Sequence, residues 1–201
     1  MQTDQAGGAG RALHSNGSRP RRGGCGSAAF VDVAQVVGLL GLRAGASVLD
    51  LGAGHGDWVP ALARRVGQAG SVLALERDPA ALAHLRQMTA NWPQLKVQAH
   101  DLAVVKPLEV APAHAALMAL VLHHLDPGAR APALAALHGS LLPGARLVLV
   151  EFKPVAPPPG PPRRVRLLPG EVRDLAAASG WHWRSMHSVA AHVCCHCLER
   201  P

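Results

Sequence analysis

A chain of 201 residues, 49% hydrophobic and only 16% charged, is long enough for one folded domain with a sizeable core. No apolar run reaches the roughly 18 residues of a membrane span, the polar, Gly-rich N-terminus lacks the apolar core of a signal peptide, and four cysteines, with three crowded at 194, 195 and 197, do not resemble a secreted disulfide framework, so a cytoplasmic setting is expected. The formal charge of +7 is gathered at Arg11, Arg19, Arg21 and Arg22 and again at Arg163, Arg164 and Arg166, in Gly- or Pro-rich segments that read as a solvated tail and a basic loop, so a nucleic-acid partner is possible but not favoured.

Residues 1–26 are mostly Gly, Ser, Arg and Gln and read as a disordered basic tail, with 27–201 as the folded domain. From Ala28, the spacing of Phe30, Val31, Ala34, Val37 and Leu40 predicts a lid or packing helix, and Gly41 and Gly45 bracket its exit. Val48, Leu49 and Leu51 suit a strand buried on both faces. It ends in Asp50-Leu51-Gly52-Ala53-Gly54-His55-Gly56, whose glycines permit backbone angles and ligand approach that side chains would block. Trp58 to Val66 reads as a helix with Asp57 able to cap it, Pro60 in its first turn and free amides facing that ligand.

Val72 to Glu76 is the second strand, and Asp78-Pro79 caps a helix with Leu82, Leu85 and Met88 on one face. Leu95 to Ala99 makes the third strand, ending in His100-Asp101, and Ala115 to Leu122 the fourth. Asp126-Pro127 opens a helix with Leu134, Leu137 and Leu141 inward, and Pro143-Gly144 turns into a strand from Arg146 to Phe152. Pro154 to Pro162 reads as a loop; Val172, Leu175, Ala176 and Ser179 mark a helix stopped by Gly180; Trp181–Val189 and Ala191–Leu198 form a final strand pair. Strands alternating with helices predict an α/β fold, a parallel sheet covered on both faces with right-handed crossovers.

In such sheets ligands bind beyond the carboxyl ends of the strands. Three acids, Asp50, Glu76 and Asp101, stand at successive strand ends, and Glu76, about 20 residues past the glycines, is placed to accept both hydroxyls of a ribose. The turn is not a dinucleotide fingerprint, because the third glycine comes one place early and Asp57 takes its position. No Gly-Lys-Ser/Thr follows for a triphosphate.

Asp-x-Gly-x-Gly-x-Gly after a buried strand resembles the first motif of class I S-adenosylmethionine-dependent methyltransferases. The resemblance runs from about Phe30 to Phe152. It is closest to the ubiquinone/menaquinone-biosynthesis-type branch, to which Phe30-Val31-Asp32, Leu120-Val121-Leu122-His123-His124-Leu125 and Leu142-Pro143-Gly144-Ala145-Arg146-Leu147 are similar. One departure is His114, where that family usually has an aspartate. The resemblance implies a Rossmann-like, doubly wound, seven-stranded, mostly parallel sheet with an antiparallel C-terminal strand. It implies S-adenosyl-L-methionine as cofactor, held by Asp50, Gly52, Ala53, Gly54, Gly56 and Glu76, with Arg77 flanking the adenine. Asp101 would take the adenine amino group, the Leu102 amide would meet the ring, and Met118, at the end of the fourth strand, would be a further cofactor contact.

Methyl transfer from a sulfonium needs chiefly an acceptor held in line, with a base only where the acceptor is protonated. His123 and His124, just after the fourth strand, are the candidate bases, the alternative being that they pack or cap the next helix. His55 either contacts the methionine portion or faces solvent, and with no tyrosine in the chain a phenol cannot serve as base. Cys194-Cys195-His196-Cys197 is not read as a metal site, because alternate strand residues point to opposite faces. A small-molecule acceptor is the leading expectation. Its rivals are an RNA or other nucleic-acid methyltransferase, disfavoured by Met118-Ala119-Leu120-Val121 in place of an Asn/Asp-Pro-Pro-aromatic motif, and a non-catalytic cofactor-binding module.

Overall fold

The computed structural model describes residues 26–106, 108–154 and 160–201. Apart from Gly26, the expected disordered tail lies outside these residues, as do 155–159 of the proline-rich loop. Helices α1 (Val33–Leu39), α2 (Val59–Val66), α3 (Pro79–Met88), α4 (Pro127–Ala136) and α5 (Pro169–Ala178) flank strands β1 (Ser47–Leu51), β2 (Ser71–Glu76), β3 (Leu95–Ala99), β4 (Ala113–Ala119), β5 (Leu141–Phe152), β6 (His182–Ser188) and β7 (Val193–Glu199). These strands form one sheet in the order β3-β2-β1-β4-β5-β7-β6. All neighbouring pairs from β3 to β5 are parallel, and β7 runs antiparallel to both β5 and β6. The expected Rossmann-like architecture is therefore present, its antiparallel strand inserted between β5 and β6.

Alternate strand residues feed two cores. Val48, Ala74, Ala115, Leu117 and Val148 join Val36, Leu62 and Leu85 on one face, while Leu49, Leu51, Ala116, Met118 and Leu149 join Leu134, Val172 and Ala176 on the other. Leu117 and Met118, adjacent in β4, are both fully buried, one in each core. Burial of such side chains is worth about 1.5–3 kcal/mol each, which is why the central strands are apolar on both faces. In β7, Cys195 and Cys197 lie in the first core, while Cys194 Sγ approaches His196 Nε2 at 3.7 Å, as strand alternation requires.

Four local expectations are corrected. The helix from Ala28 is divided into a 3-10 turn, Ser27–Phe30, and α1, because the Asp32 carboxylate accepts from the amides of Ala34 and Gln35 at 2.9 and 3.2 Å and starts a new helix. Asp57 does not cap α2: the N-cap residue is Trp58, without a side-chain bond. Its indole N–H instead donates to Ser27 Oγ at 2.7 Å and ties down the entering chain. The fourth strand stops at Ala119 rather than Leu122, because Leu120 turns to φ 59 and leads into a 3-10 turn, Leu122–His124. β5 begins at Leu141 rather than Arg146, since Gly144 N–H donates to the Arg200 carbonyl and Arg200 N–H to the Ala145 carbonyl, both at 2.9 Å.

Candidate active site

The end of β1 is stitched to the end of β2. The amides of Gly52 and Ala53 both donate to the Leu75 carbonyl, at 2.8 and 3.0 Å. Glu76, 9% exposed, spans the next gap: Oε2 accepts from Gly54 N–H at 2.7 Å, and Oε1 accepts from the amides of Arg77 and Asp78 at 2.8 and 2.9 Å. The carboxylate thus fixes the glycine turn relative to the β2–α3 corner.

The glycines serve different neighbours. A Cβ on Gly52 would stand 2.6 Å from Val121 Cγ2, and one on Gly56 2.7 Å from Met88 Sδ, so both are small because protein packs against them. Over Gly54, at φ +55, a Cβ would meet nothing within 4 Å. The middle glycine alone of the three faces an open volume, where a ligand can approach the backbone.

Asp50, four residues before Gly54 in the chain, is 1% exposed, and its Oδ2 has no hydrogen-bond partner among the described residues. Burial, and then the charges of Asp57 and Glu76, push its carboxyl up to about 7. A buried, unpartnered carboxyl among further acids is costly alone and is relieved by a cationic ligand. Farther along the edge, Asp101 accepts from Ala103 N–H at 2.9 Å and lies 3.4 Å from Arg77 Nη1. Arg77, His100, Asp101 and Val104 line part of a cleft of about 540 Å³ at the ends of β2 and β3. Burial, with Lys106 nearby, holds His100 below the ordinary histidine range. The side chains of Leu102 and Met118 are buried in the second core, and Met118 is flanked in the sheet by Leu51 of β1 and Leu149 of β5.

On the other side of Gly52 stand the ends of β4 and β5. His123 and Glu151, whose side chains are 3% and 2% exposed, meet with Nδ1 2.6 Å from Oε2, and Oε1 lies 3.3 Å from the His123 amide that donates to it. The imidazole also meets the Phe152 ring edgewise at 6.1 Å, and Phe152 meets Phe30 at 5.7 Å. His124 is exposed, its ring centroid 4.2 Å from that of His123. Leu120 holds a left-handed conformation that costs a non-glycine residue on the order of 1–3 kcal/mol, the kind of strain that gathers at functional sites. His55 is exposed and stacks obliquely on His84 at 5.7 Å.

Sequence reading missed Glu151, although it stands at the carboxyl end of β5 as Glu76 does at that of β2, and it missed Val121 as the neighbour of Gly52. Of the cysteines of β7, Cys194 pairs in register with Glu151 and its thiol lies 3.7 Å from the Glu151 carbonyl, but burial pushes Cys194 up to about 11 and Cys195 up to about 12, so neither is poised as a thiolate. Among the described residues no group of three or more potential metal ligands converges.

A seven-stranded sheet of this order, with a glycine turn and carboxylates at its carboxyl edge, defines a doubly wound α/β fold whose carboxyl edge is the place for a ligand. Residues 48–144 match the family model described as a methyltransferase domain. The chain is 46% identical over 66 residues to 2-phytyl-1,4-naphtoquinone methyltransferase of Thermosynechococcus vestitus, covering 32% of this chain and 29% of that one. It spans about a third of the length of the curated relatives it matches. In fold it is similar to a SAM-dependent methyltransferase from Aquifex aeolicus (TM-score 0.78, 20% identity, 87% of this chain and 92% of that). It is also similar to the 1,6-didemethyltoxoflavin-N1-methyltransferase of Burkholderia thailandensis, solved with its acceptor and S-adenosylhomocysteine (TM-score 0.64, 21% identity, 84% and 77%). Residues 48–144 thus resemble a methyltransferase domain, and the fold is that of solved S-adenosylmethionine-dependent methyltransferases. Its residues fit that cofactor: the volume over Gly54 admits a ligand, the Asp50 Oδ2 wants a cationic or donor partner, and Glu76 holds a carboxylate at the turn.

Proposed function

We propose that the protein is an enzyme that methylates a small-molecule acceptor, with S-adenosylmethionine bound across the ends of β1, β2 and β3. The observation that carries this reading is the buried Glu76 carboxylate, bonded to Gly54 N–H at 2.7 Å beside the open face of that glycine. Glu76 would take the ribose hydroxyls, Asp50 the cationic amino-acid portion, and Gly52, Ala53, Gly54 and Gly56 the shape of the turn. Arg77 and Asp101 would flank and bond the adenine, the Leu102 amide would meet the ring, and Met118 would support the site from the fourth strand. When bound, the cofactor supplies an electrophilic methyl group whose bonding electron pair stays with sulfur. The protein's own work is then to orient the acceptor beside His123 and His124 and to exclude water.

A small acceptor is supported by the aromatic cluster of Phe30, Phe152 and His123 and by relatives whose names specify a naphthoquinone and a toxoflavin precursor. The nucleic-acid reading is weakened by Arg166 of the basic loop. It is 7% exposed, donates to the carbonyls of Pro161 and Lys153 at 2.9 and 3.0 Å, and stands 5.7 Å over Phe152. That arginine is spent on the fold rather than offered to phosphate. A cytoplasmic setting, where buried free thiols such as Cys194, Cys195 and Cys197 stay reduced, completes the proposal.

S-Adenosylhomocysteine should raise the melting temperature, by an amount equivalent to about 2.7 kcal/mol at a hundredfold excess over Kd. Gly54→Val, which fills the open volume, and Asp50→Ala should each abolish the shift. Labelled methyl should pass into the small-molecule fraction of a cell extract. Label appearing in RNA alone would overturn the acceptor assignment, and no thermal shift in the parent protein would overturn the cofactor site.

A further inference from the structure

We propose that His123 and Glu151 form a proton-accepting pair, and that the acceptor is therefore a phenolic or enolic hydroxyl compound methylated on oxygen. The inference rests on the methyltransferase reading and names the acceptor chemistry of the same site.

The pair is built by the fold. Glu151 lies at the carboxyl end of β5, and His123 is brought to it only because the chain leaves β4 through the left-handed Leu120, whose N–H still donates to the Val150 carbonyl at 2.8 Å. Both side chains are almost fully buried. Oε2 faces Nδ1 at 2.6 Å and Oε1 takes the His123 amide, so one carboxylate holds the imidazole by ring and main chain together. With a proton on Nδ1 directed at Glu151, the neutral ring presents Nε2, on its far side, as a proton acceptor. The glycine turn is adjacent, since Gly52 packs against Val121, two positions before His123.

Such a pair is needed for some acceptors and idle for others. A neutral amine attacks with its own lone pair, and a thiol ionises readily unaided, with a pKa of about 8.5. A phenol, at about 10, is largely protonated at neutral pH yet lies within a few units of an imidazole at about 6.5, the range in which a positioned base contributes most. In the proposed step the hydroxyl proton moves to Nε2 of His123. The O–H electron pair remains on oxygen and forms the new bond to the methyl carbon, as the carbon–sulfur pair departs with sulfur. The imidazolium so formed stands against the Glu151 carboxylate, and Phe30 and Phe152 supply aromatic edges beside it.

Two measurements test this. In ¹⁵N-histidine-labelled protein saturated with S-adenosylhomocysteine, the neutral ring of His123 should carry its proton on Nδ1, and Glu151→Gln should shift it toward Nε2. A parent ring protonated on Nε2, or a tautomer indifferent to Glu151→Gln, overturns the pair. In labelled-methyl transfer to extract small molecules, Glu151→Gln and His123→Ala should each lower transfer by about 10²- to 10⁴-fold. The S-adenosylhomocysteine thermal shift should remain in both, Glu151→Asp should recover part of the transfer, and added imidazole should partly restore His123→Ala. Treating the labelled product with hot hydriodic acid should release the label as methyl iodide, as an aryl or enol ether does. Label retained on carbon, or undiminished transfer in both variants, overturns the proposal. If the parent transfers no label, the methyltransferase reading fails, and the tautomer measurement decides the pair by itself.

Discussion

Along the β1–β3 side of the carboxyl edge, the acids stand in or just beyond the strands: Asp50 and Glu76 within β1 and β2, and Asp101 two residues past β3. Along the β4–β5 side, the corresponding pair joins residues 28 positions apart, and one of them arrives through a strained turn at Leu120. The first side depends on local chain geometry, a strand followed by a glycine turn. The second depends on tertiary pairing, because His123 has no functional surroundings until β5 lies beside β4. The two sides touch where Gly52 meets Val121.

The largest expected effect breaks that joint. Gly52→Ala places a Cβ 2.6 Å from Val121 Cγ2 at φ +70, adding a left-handed penalty of about 1–2 kcal/mol to an overpacking cost of about 1–3 kcal/mol. Urea unfolding should show a loss of roughly 2–5 kcal/mol. Combining it with Val121→Ala should recover the overpacking part but not the backbone part, because the double variant keeps φ positive. If Gly52→Ala is neutral, the two halves are not in the contact described.

Asp50 sharpens the comparison from the cofactor side alone. Its carboxyl is raised from 3.8 to about 7 by burial first and by Asp57 and Glu76 second, so between those values the folded chain holds a proton that the unfolded chain has lost. Stability from this group is therefore intact below about pH 4, falls as pH rises toward 7, and stays reduced above it. Asp50→Asn should stabilise the ligand-free protein at pH 8 by up to roughly 4 kcal/mol, with the gain shrinking toward pH 4. The same substitution should weaken S-adenosylhomocysteine binding, and in the parent that binding should tighten from pH 6 to pH 8 as Asp50 ionises. A stability difference independent of pH would show that Asp50 is not the buried acid described.

These two variants also mark how far the chain could be read from its residues. Asp50, Glu76 and Asp101 were legible because an acid at the close of a strand pattern is a local signal, and the covered parallel sheet followed from the alternation of strands with helices. Glu151 carries the same signature at the end of β5, but an acid after Val150 gains meaning only when His123 is known to lie 2.6 Å away. The turn at Leu120 was hidden because leucine does not announce a positive φ, and so the fourth strand was read to end three residues late. Asp32 was taken into a continuous helix because hydrophobic spacing carries across a capping residue. Asp57 failed as a cap for the opposite reason: capping chemistry was present, but its carboxylate lies where a Cβ on Gly26 would be, away from α2.

The smallest effect separates ligand contact from fold on the adenine side. Arg77 and Asp101 are 64% and 37% exposed in their side chains and 3.4 Å apart, so Arg77→Ala should change stability by less than about 0.5 kcal/mol. If Arg77 lies over the adenine, the substitution should still weaken S-adenosylhomocysteine binding about two- to fivefold, the yield of an exposed cation–π contact. Arg184, paired with Glu199 on the edge strand β6 and 55% exposed, is the control: its alanine variant removes a similar surface pair and should leave the affinity unchanged. Equal effects of the two substitutions in calorimetric titration would mean that Arg77 acts through net charge, because only a residue at the cleft can distinguish a bound base from bulk electrostatics.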